Sequence, residues 1–261
     1  MIPQNELYSN RIFLNAVLPL VKVIAEDIED IKKGFEGRTG KIQISALNEG
    51  EKLGTHFTID NGQWIVRLGV IESPDVELEF KSIKAFNDFF KGKSKKLPKI
   101  RGIKNLGLLI NTFKVLLKMA AMLGTTEAPR DEEDKKLLVK LYFYLLSSGI
   151  SQLNKAGHPD VSKWAKKSPD RVYAWAVDNE PELSAYIRVK AGNSRSARGK
   201  YTRSKPFFTM RFDSVDSALG ILLETDDLFQ STVEEKLMME GAPEFGAQIG
   251  DFMLLVGKFA K

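Results

Sequence analysis

The chain has 261 residues, 43% of them hydrophobic and 28% charged, with a formal net charge of +5. That composition is typical of folded soluble protein, and the length suits one large or two ordinary domains. There is no cysteine, which excludes disulfides, thiolate metal sites and cysteine nucleophiles and fits a reducing compartment.

Val17, Val21, Ile24, Ile28 and Ile31 recur at spacings of four and three, which predicts an amphipathic helix over residues 13–33. Pro19 means either that its early part is kinked or that the regular helix begins about there. Glu26, Asp27, Glu29 and Asp30 follow the apolar run directly, so the segment does not read as an export signal. A short strand is expected over 41–47. Asn61-Gly62 then lies between Phe57/Ile59 and Trp64/Val66/Leu68, a hairpin signature, because Asn-Gly supplies the positive φ angles of a two-residue turn.

Val76, Leu78 and Phe80 alternate with Glu77, Glu79 and Lys81, the pattern of a strand with one buried face. Ser82 opens a short helix carrying Phe86, Phe89 and Phe90 on one side. A basic loop and a last strand at Ile100-Arg101-Gly102 follow. Leu106, Leu109, Phe113, Leu116 and Leu117 then mark a helix with more apolar surface than a helix lying on a sheet needs. Lys114 and Lys118 argue against a membrane span there. Each costs about 2.5–3.5 kcal/mol at mid-bilayer, against roughly 0.3–0.6 gained per large apolar residue.

Asp131 to Asp134 opposes the dipole at the start of a further helix, about 135–155. Strands are expected at 172–177 and 183–189, with Asp178-Asn179-Glu180-Pro181 standing where the first half has Asp60-Asn61-Gly62. Another strand is expected near 200–202, and one at Phe208. The last helix starts at Pro243 and aligns Phe245, Ile249, Phe252 and Val256.

The halves repeat each other. Phe208, Met210, Phe212 and Ser214 fall on Val76, Leu78, Phe80 and Ser82 at an offset of 132; Gly241, Gly246 and Phe252 fall on Gly102, Gly107 and Phe113 at 139. The difference is an insertion near Asp226 to Glu234. A duplicated domain follows, with units at 1–128 and 129–261.

On these residues each half resembles the sterol carrier protein (sterol-transfer domain) family. The hairpin Phe57 to Trp64, the strand Val76 to Ser82, Gly102 and the apolar terminal helix carry the likeness in the first half. Phe208 to Ser214, Gly241 and Phe245 to Phe252 carry it in the second. The resemblance implies an α+β fold: two copies of a five-stranded, mainly antiparallel twisted sheet with helices against it and an apolar tunnel between. It implies a non-catalytic carrier of a sterol, fatty acid, acyl-CoA or phospholipid, needing no cofactor. A presenter of lipid substrates to a lipid-metabolising enzyme, or a structural or regulatory module with a filled core, is the alternative. The second half lacks the Asn-Gly turn. Phe259-Ala260-Lys261 is no peroxisomal signal, which favours the cytoplasm.

Residue chemistry points the same way. His56 and His158 are the only histidines and form no His-x₃-His pair, and there is neither a phosphate loop nor a Gly-x-Ser-x-Gly elbow. The chain does not read as an enzyme. Phe86, Phe89, Phe90, Leu109, Phe113 and Leu117 are the candidates to line a lipid cavity, with Leu222, Phe245, Ile249 and Phe252 lining its counterpart; plain core packing is the alternative. A concave apolar surface is enough, because burying about sixteen methylenes at roughly 0.8 kcal/mol each gives a gross ~12 kcal/mol. Two stretches are basic and acid-free, one between Asp88 and Glu127 and one between Glu182 and Asp213. Lys93, Lys95 and Lys96 in the first, and Arg195, Arg198 and Arg203 in the second, are candidates to dock on anionic membranes; solvated loops and strand faces are the alternative. Tyr201 and Phe207 could stack bases, but the resemblance disfavours nucleic acid.

Overall fold

The computed structural model describes residues 2–261. It divides into two compact units: residues up to 122 with 259–261, and residues 123–258. Unit 1 opens with α1 (Gln4–Ile12), which passes through a π turn at Phe13–Val17 and a 3₁₀ turn at Leu18–Leu20 into α2 (Val21–Asp27). The irregularity has a cause in Pro19. It offers no N–H to the carbonyl four residues back and its ring crowds that carbonyl, so the hydrogen-bond ladder changes step around it. Ile28 is extended and separates α2 from α3 (Glu29–Lys33). The leading helix therefore starts earlier than its apolar spacing predicts and breaks before its end.

The sheet follows: β1 (Gly40–Asn48), β2 (Glu51–Asp60), β3 (Gln63–Leu68), β4 (Val76–Phe80) and β5 (Lys99–Arg101), with α4 (Ile83–Phe90) after β4 and α5 (Leu106–Leu123) after β5. The strand order is β3-β2-β1-β4-β5. β1 and β4 pair in parallel and the other neighbours antiparallel, so the sheet is mixed. Asn61 and Gly62, at φ 47° and 83°, make the predicted hairpin turn. One expectation fails. β4 is buried on both faces, Glu77 at 3% and Glu79 at 9% exposure, because Lys52, Gln43 and Ser45 close over its carboxylates.

Unit 2 runs α6 (Glu132–Lys155), α7 (Pro159–Lys167), β6 (Arg171–Val177), β7 (Glu180–Lys190), β8 (Asn193–Arg198), β9 (Phe208–Phe212), α8 (Val215–Leu222), α9 (Leu228–Val233), β10 (Leu237–Glu240) and α10 (Pro243–Ala260). Its strand order, β10-β9-β6-β7-β8, reproduces that of unit 1 pair for pair, again with one parallel pair, β6 and β9. The protein is α+β, two five-stranded mixed sheets with helices. α9 is the insertion that separates the two sequence offsets.

Two readings of unit 2 are corrected. β6 and β7 correspond to β1 and β2, so the Asp178 to Pro181 turn matches Asn48 to Glu51, not Asp60 to Gly62. The true counterpart of Asn61-Gly62 is Ala191-Gly192, at φ 45° and 88°: the turn is kept although its asparagine is not. The expected strand near 200–202 is absent among the described residues, its place taken by β8, whose Asn193-Ser194-Arg195-Ser196 lacks the β-branched and aromatic residues that signal a strand.

The helices after β4 and β9 start identically. The Ser82 hydroxyl accepts from the Ala85 N–H at 3.1 Å, and that of Ser214 from the Ser217 N–H at 3.2 Å. Ser82→Ala and Ser214→Ala should each cost about 1 kcal/mol, and Ser→Gly only a few tenths. Urea unfolding of the four variants checks this.

Candidate functional site

In unit 1 the phenylalanines predicted to line a cavity meet one another. Phe86 stands 4.6 Å from Phe90 and 5.2 Å from Phe80, and Phe89 5.2 Å from Phe80 and 5.5 Å from Phe90, while Phe13 closes the group at 5.5 Å from Phe90. Phe86 is fully buried, and Phe89 and Phe90 are half-buried at the rim. This is edge-on and tilted ring packing of the kind that consolidates a core.

The terminal helices differ in a way the matched sequences hide. α5 begins four residues after Gly102, and α10 two residues after Gly241. Two residues turn a helix by about 200°, so the matched stripes face opposite ways. Val256 is completely buried with Ile249 and Phe252. Their counterparts Leu117 and Ile110 are exposed, Leu117 at 67%, and Phe113 is half-buried. Leu117 faces solvent, contrary to a role in lining an enclosed cavity. The buried side of α5 is instead Leu108, Thr112, Val115 and Met119, with Leu109 at its edge. Asn111 fastens this helix by donating its Nδ2–H to the Gly34 carbonyl at 2.6 Å.

Unit 2 brings together more. Phe245, on α10, lies 4.9 Å from Phe207 and 6.2 Å from Tyr173; Phe252, two turns further along the same face, lies 5.1 Å from Trp164. Trp164 and Tyr173 are 5.2 Å apart. The Arg171 guanidinium sits over Phe207 at 3.9 Å and over Phe245 at 4.9 Å, a cation on two ring faces. Ile249 and Leu222 are buried, the latter on α8. At the repeat offset the rings of Phe86, Phe89 and Phe90 become Ala218, Ile221 and Leu222, smaller side chains.

Within this apolar group two polar atoms are buried with no hydrogen-bond partner in the protein: the Tyr173 hydroxyl and the Trp164 indole Nε1–H. By contrast, Trp175 in the same unit donates to the Met253 sulfur at 3.4 Å. Buried polar groups are nearly always satisfied, and one left alone costs about 1–3 kcal/mol. Sequence reading did not single out Trp164 or Tyr173. The available signal was Val161, Trp164 and Ala165 on one side of an otherwise polar helix.

Other candidates resolve into structure. The Glu77 and Glu79 carboxylates are held by Lys52 at 2.7 and 2.6 Å, with Arg101 3.2 Å from Glu79. His56 Nδ1 lies 2.9 Å from the Gly69 carbonyl within the hairpin. No group of three or more His, Asp or Glu among the described residues has the arrangement to hold a metal ion. A pocket of about 440 Å³ opens in unit 1 between Arg38, Thr39, Asp75 and residues 104–108, with none of the predicted lipid-binding residues in its wall. Lys93, Lys95 and Lys96 are exposed on the loop between α4 and β5. Arg195, Arg198 and Arg203 are exposed in unit 2, where Arg198 stacks over Tyr144 at 4.9 Å. The second basic stretch is partly neutralised, since Arg188 and Lys190 pair with Asp170, and Arg211 with Asp178 and Glu240.

No family model matches the chain, and no curated protein matches it. Among solved structures it is similar to a conserved hypothetical protein of Thermus thermophilus described as a possible sterol carrier protein, at 15% identity and a TM-score of 0.32, over 47% of this chain and 85% of that one. It is also similar to the stereoselective inverting sec-alkylsulfatase Pisa1 of a Pseudomonas species, at 11% identity and a TM-score of 0.27, over 67% of this chain and 30% of that one.

Proposed function

We propose that the protein is a non-catalytic lipid carrier of the cytoplasm, and that unit 2 takes an amphiphile with an oxygen-bearing head, a long-chain fatty acid foremost. The observation that carries this reading is the pair of unsatisfied donors, Tyr173 O–H and Trp164 Nε1–H, set among Phe207, Phe245 and Phe252. Both are donors in need of an acceptor, and an acyl chain ending in a carboxylate matches apolar walls with acceptor oxygens. Arg171, over the faces of Phe207 and Phe245, favours a negative head over a neutral one.

The test uses opposite signs. Tyr173→Phe removes an unsatisfied hydroxyl, so the lipid-free protein should keep or gain stability, by up to about 1 kcal/mol. Affinity for a dansyl-labelled fatty acid should fall about tenfold, the worth of one good hydrogen bond. A variant that loses stability while affinity stays the same would make the hydroxyl a core group. Wild-type protein that binds no fatty acid, alkanol or sterol would end the proposal.

A further inference from the structure

We infer that α5 docks unit 1 on an anionic lipid surface by laying its outward apolar face into the headgroup boundary. Leu106, Ile110, Phe113 and Leu117 recur at spacings of four, three and four, so they share one side of an 18-residue helix that is about 27 Å long. Leu106, Ile110 and Leu117 are exposed and Phe113 is half-buried. With Leu97 and Ile103 just before the helix, residues 97–117 hold five of the eleven exposed large hydrophobic side chains among the described residues. Among the described residues two segments are apolar and long enough to cross a bilayer, Gln4–Asp27 and Leu106–Leu123; the first is mostly buried within the protein and the second mostly not.

The second unit supplies an internal comparison. α10 turns its matched stripe inward and shows solvent Glu244, Asp251 and Lys258, with Leu254 as its one exposed large apolar side chain among the described residues. The apolar outward face is thus a property of α5, created where its helix starts two residues later, and not a general feature of the fold.

Charge selects the occupant. Between Asp88 and Glu127 there are nine basic residues and no acid. Lys93, Lys95, Lys96, Lys104 and Lys114 are exposed, and Lys114 borders the apolar face itself. An apolar stripe edged by lysines fits a bilayer bearing phosphate headgroups. A second copy of α5 would bring lysine against lysine with no acid on either helix to offset it. This inference is independent of what unit 2 binds.

The experiment is flotation of the full chain with vesicles of phosphatidylcholine alone or mixed with phosphatidylglycerol. Binding to the mixed vesicles is expected, weakened by salt and weaker on neutral ones. Ile110→Asp with Leu117→Asp should reduce it about tenfold or more while circular dichroism stays unchanged, since neither side chain is buried. Leu254→Asp, on the exposed side of α10, should leave it intact. Equal binding to neutral vesicles, no binding by the wild type, or full binding by the double variant overturns the inference. So does a wild-type dimer in light scattering that the double variant splits and that binds no vesicles, because a second copy then covers the face.

Discussion

Gly102→Ala is expected to destabilise unit 1 by about 3 kcal/mol, a large effect for the addition of one methyl group. Gly102 has φ 85°, where any Cβ is strained, and its own Cβ would stand 1.8 Å from the Asp75 carbonyl oxygen. The neighbour is backbone at the entry to β4, the strand between β1 and β5, so relief requires moving the sheet and not a side chain. Gly241 holds the same place in unit 2, at φ 116°, and a Cβ added there would stand 2.7 Å from the Phe207 carbonyl oxygen. Gly241→Ala should therefore be harmful but less so. Hydrogen exchange on the full chain reads both: Gly102→Ala should speed exchange in peptides spanning β1, β2 and β4 while β6 to β9 keep their protection. Unchanged protection in β4 would mean that the crossing is looser than its geometry states.

That glycine also shows what was legible in the chain. Its recurrence at a fixed offset revealed the repeat, and the reason lies in one backbone crossing another at the mouth of each sheet. The central strands were readable for a similar reason: Val76, Leu78, Phe80 and their partners must alternate to meet the core. α1 was not readable, because Gln4 to Arg11 is mostly polar and its burial comes from tertiary contacts that no local period records. β8 was hidden for the same cause. The parallel pairing of β1 with β4 is a matter of topology, which alternation does not encode.

The site was legible only by half. Apolar stripes on the terminal helices were visible, but their direction was not, since a two-residue difference in a connection reverses a helix face while leaving the pattern intact. Phe245 and Phe252 came out inward and Leu117 outward from the same motif. The unsatisfied donors of Trp164 and Tyr173 could not be inferred from residue type, because most buried tyrosines and tryptophans find partners. Hydrogen-bond accounting, which needs the fold, finds them, and it finds the Trp64 indole of unit 1 in the same state.

The polar face of the sheets is where the repeat kept geometry and exchanged charge, and it yields the second large effect. Glu77 and Glu79 of β4 become Thr209 and Arg211 in β9; the first pair is gripped by Lys52, the second unit's arginine by Asp178 and Glu240. Burial pushes the Glu77 carboxyl up, but hydrogen bonds from Lys52, Gln43 and Ser45 outweigh it and hold the group below its ordinary value of 4.5. The Lys52 hydrogen bond does the same for Glu79 against a smaller cost of burial, helped by Arg101. With folded pKa values below the unfolded ones, the unfolded chain binds more protons in acid. The stabilisation is complete above about pH 5 and is lost as pH falls through the folded values. Lys52 shifts up, so its share persists below its ordinary value of 10.5 and is lost only at higher pH. Glu77→Ala should cost about 2–3 kcal/mol at pH 7, the low side for a buried ion pair because Lys52 keeps 28% of its side chain in water. Glu77→Gln removes one titrating group, so its deficit against the wild type should narrow as the pH is lowered from 7 to 3. Urea midpoints across that range decide the matter: a deficit constant with pH would mean that Glu77 contributes hydrogen bonds alone and that its charge adds nothing to unit 1.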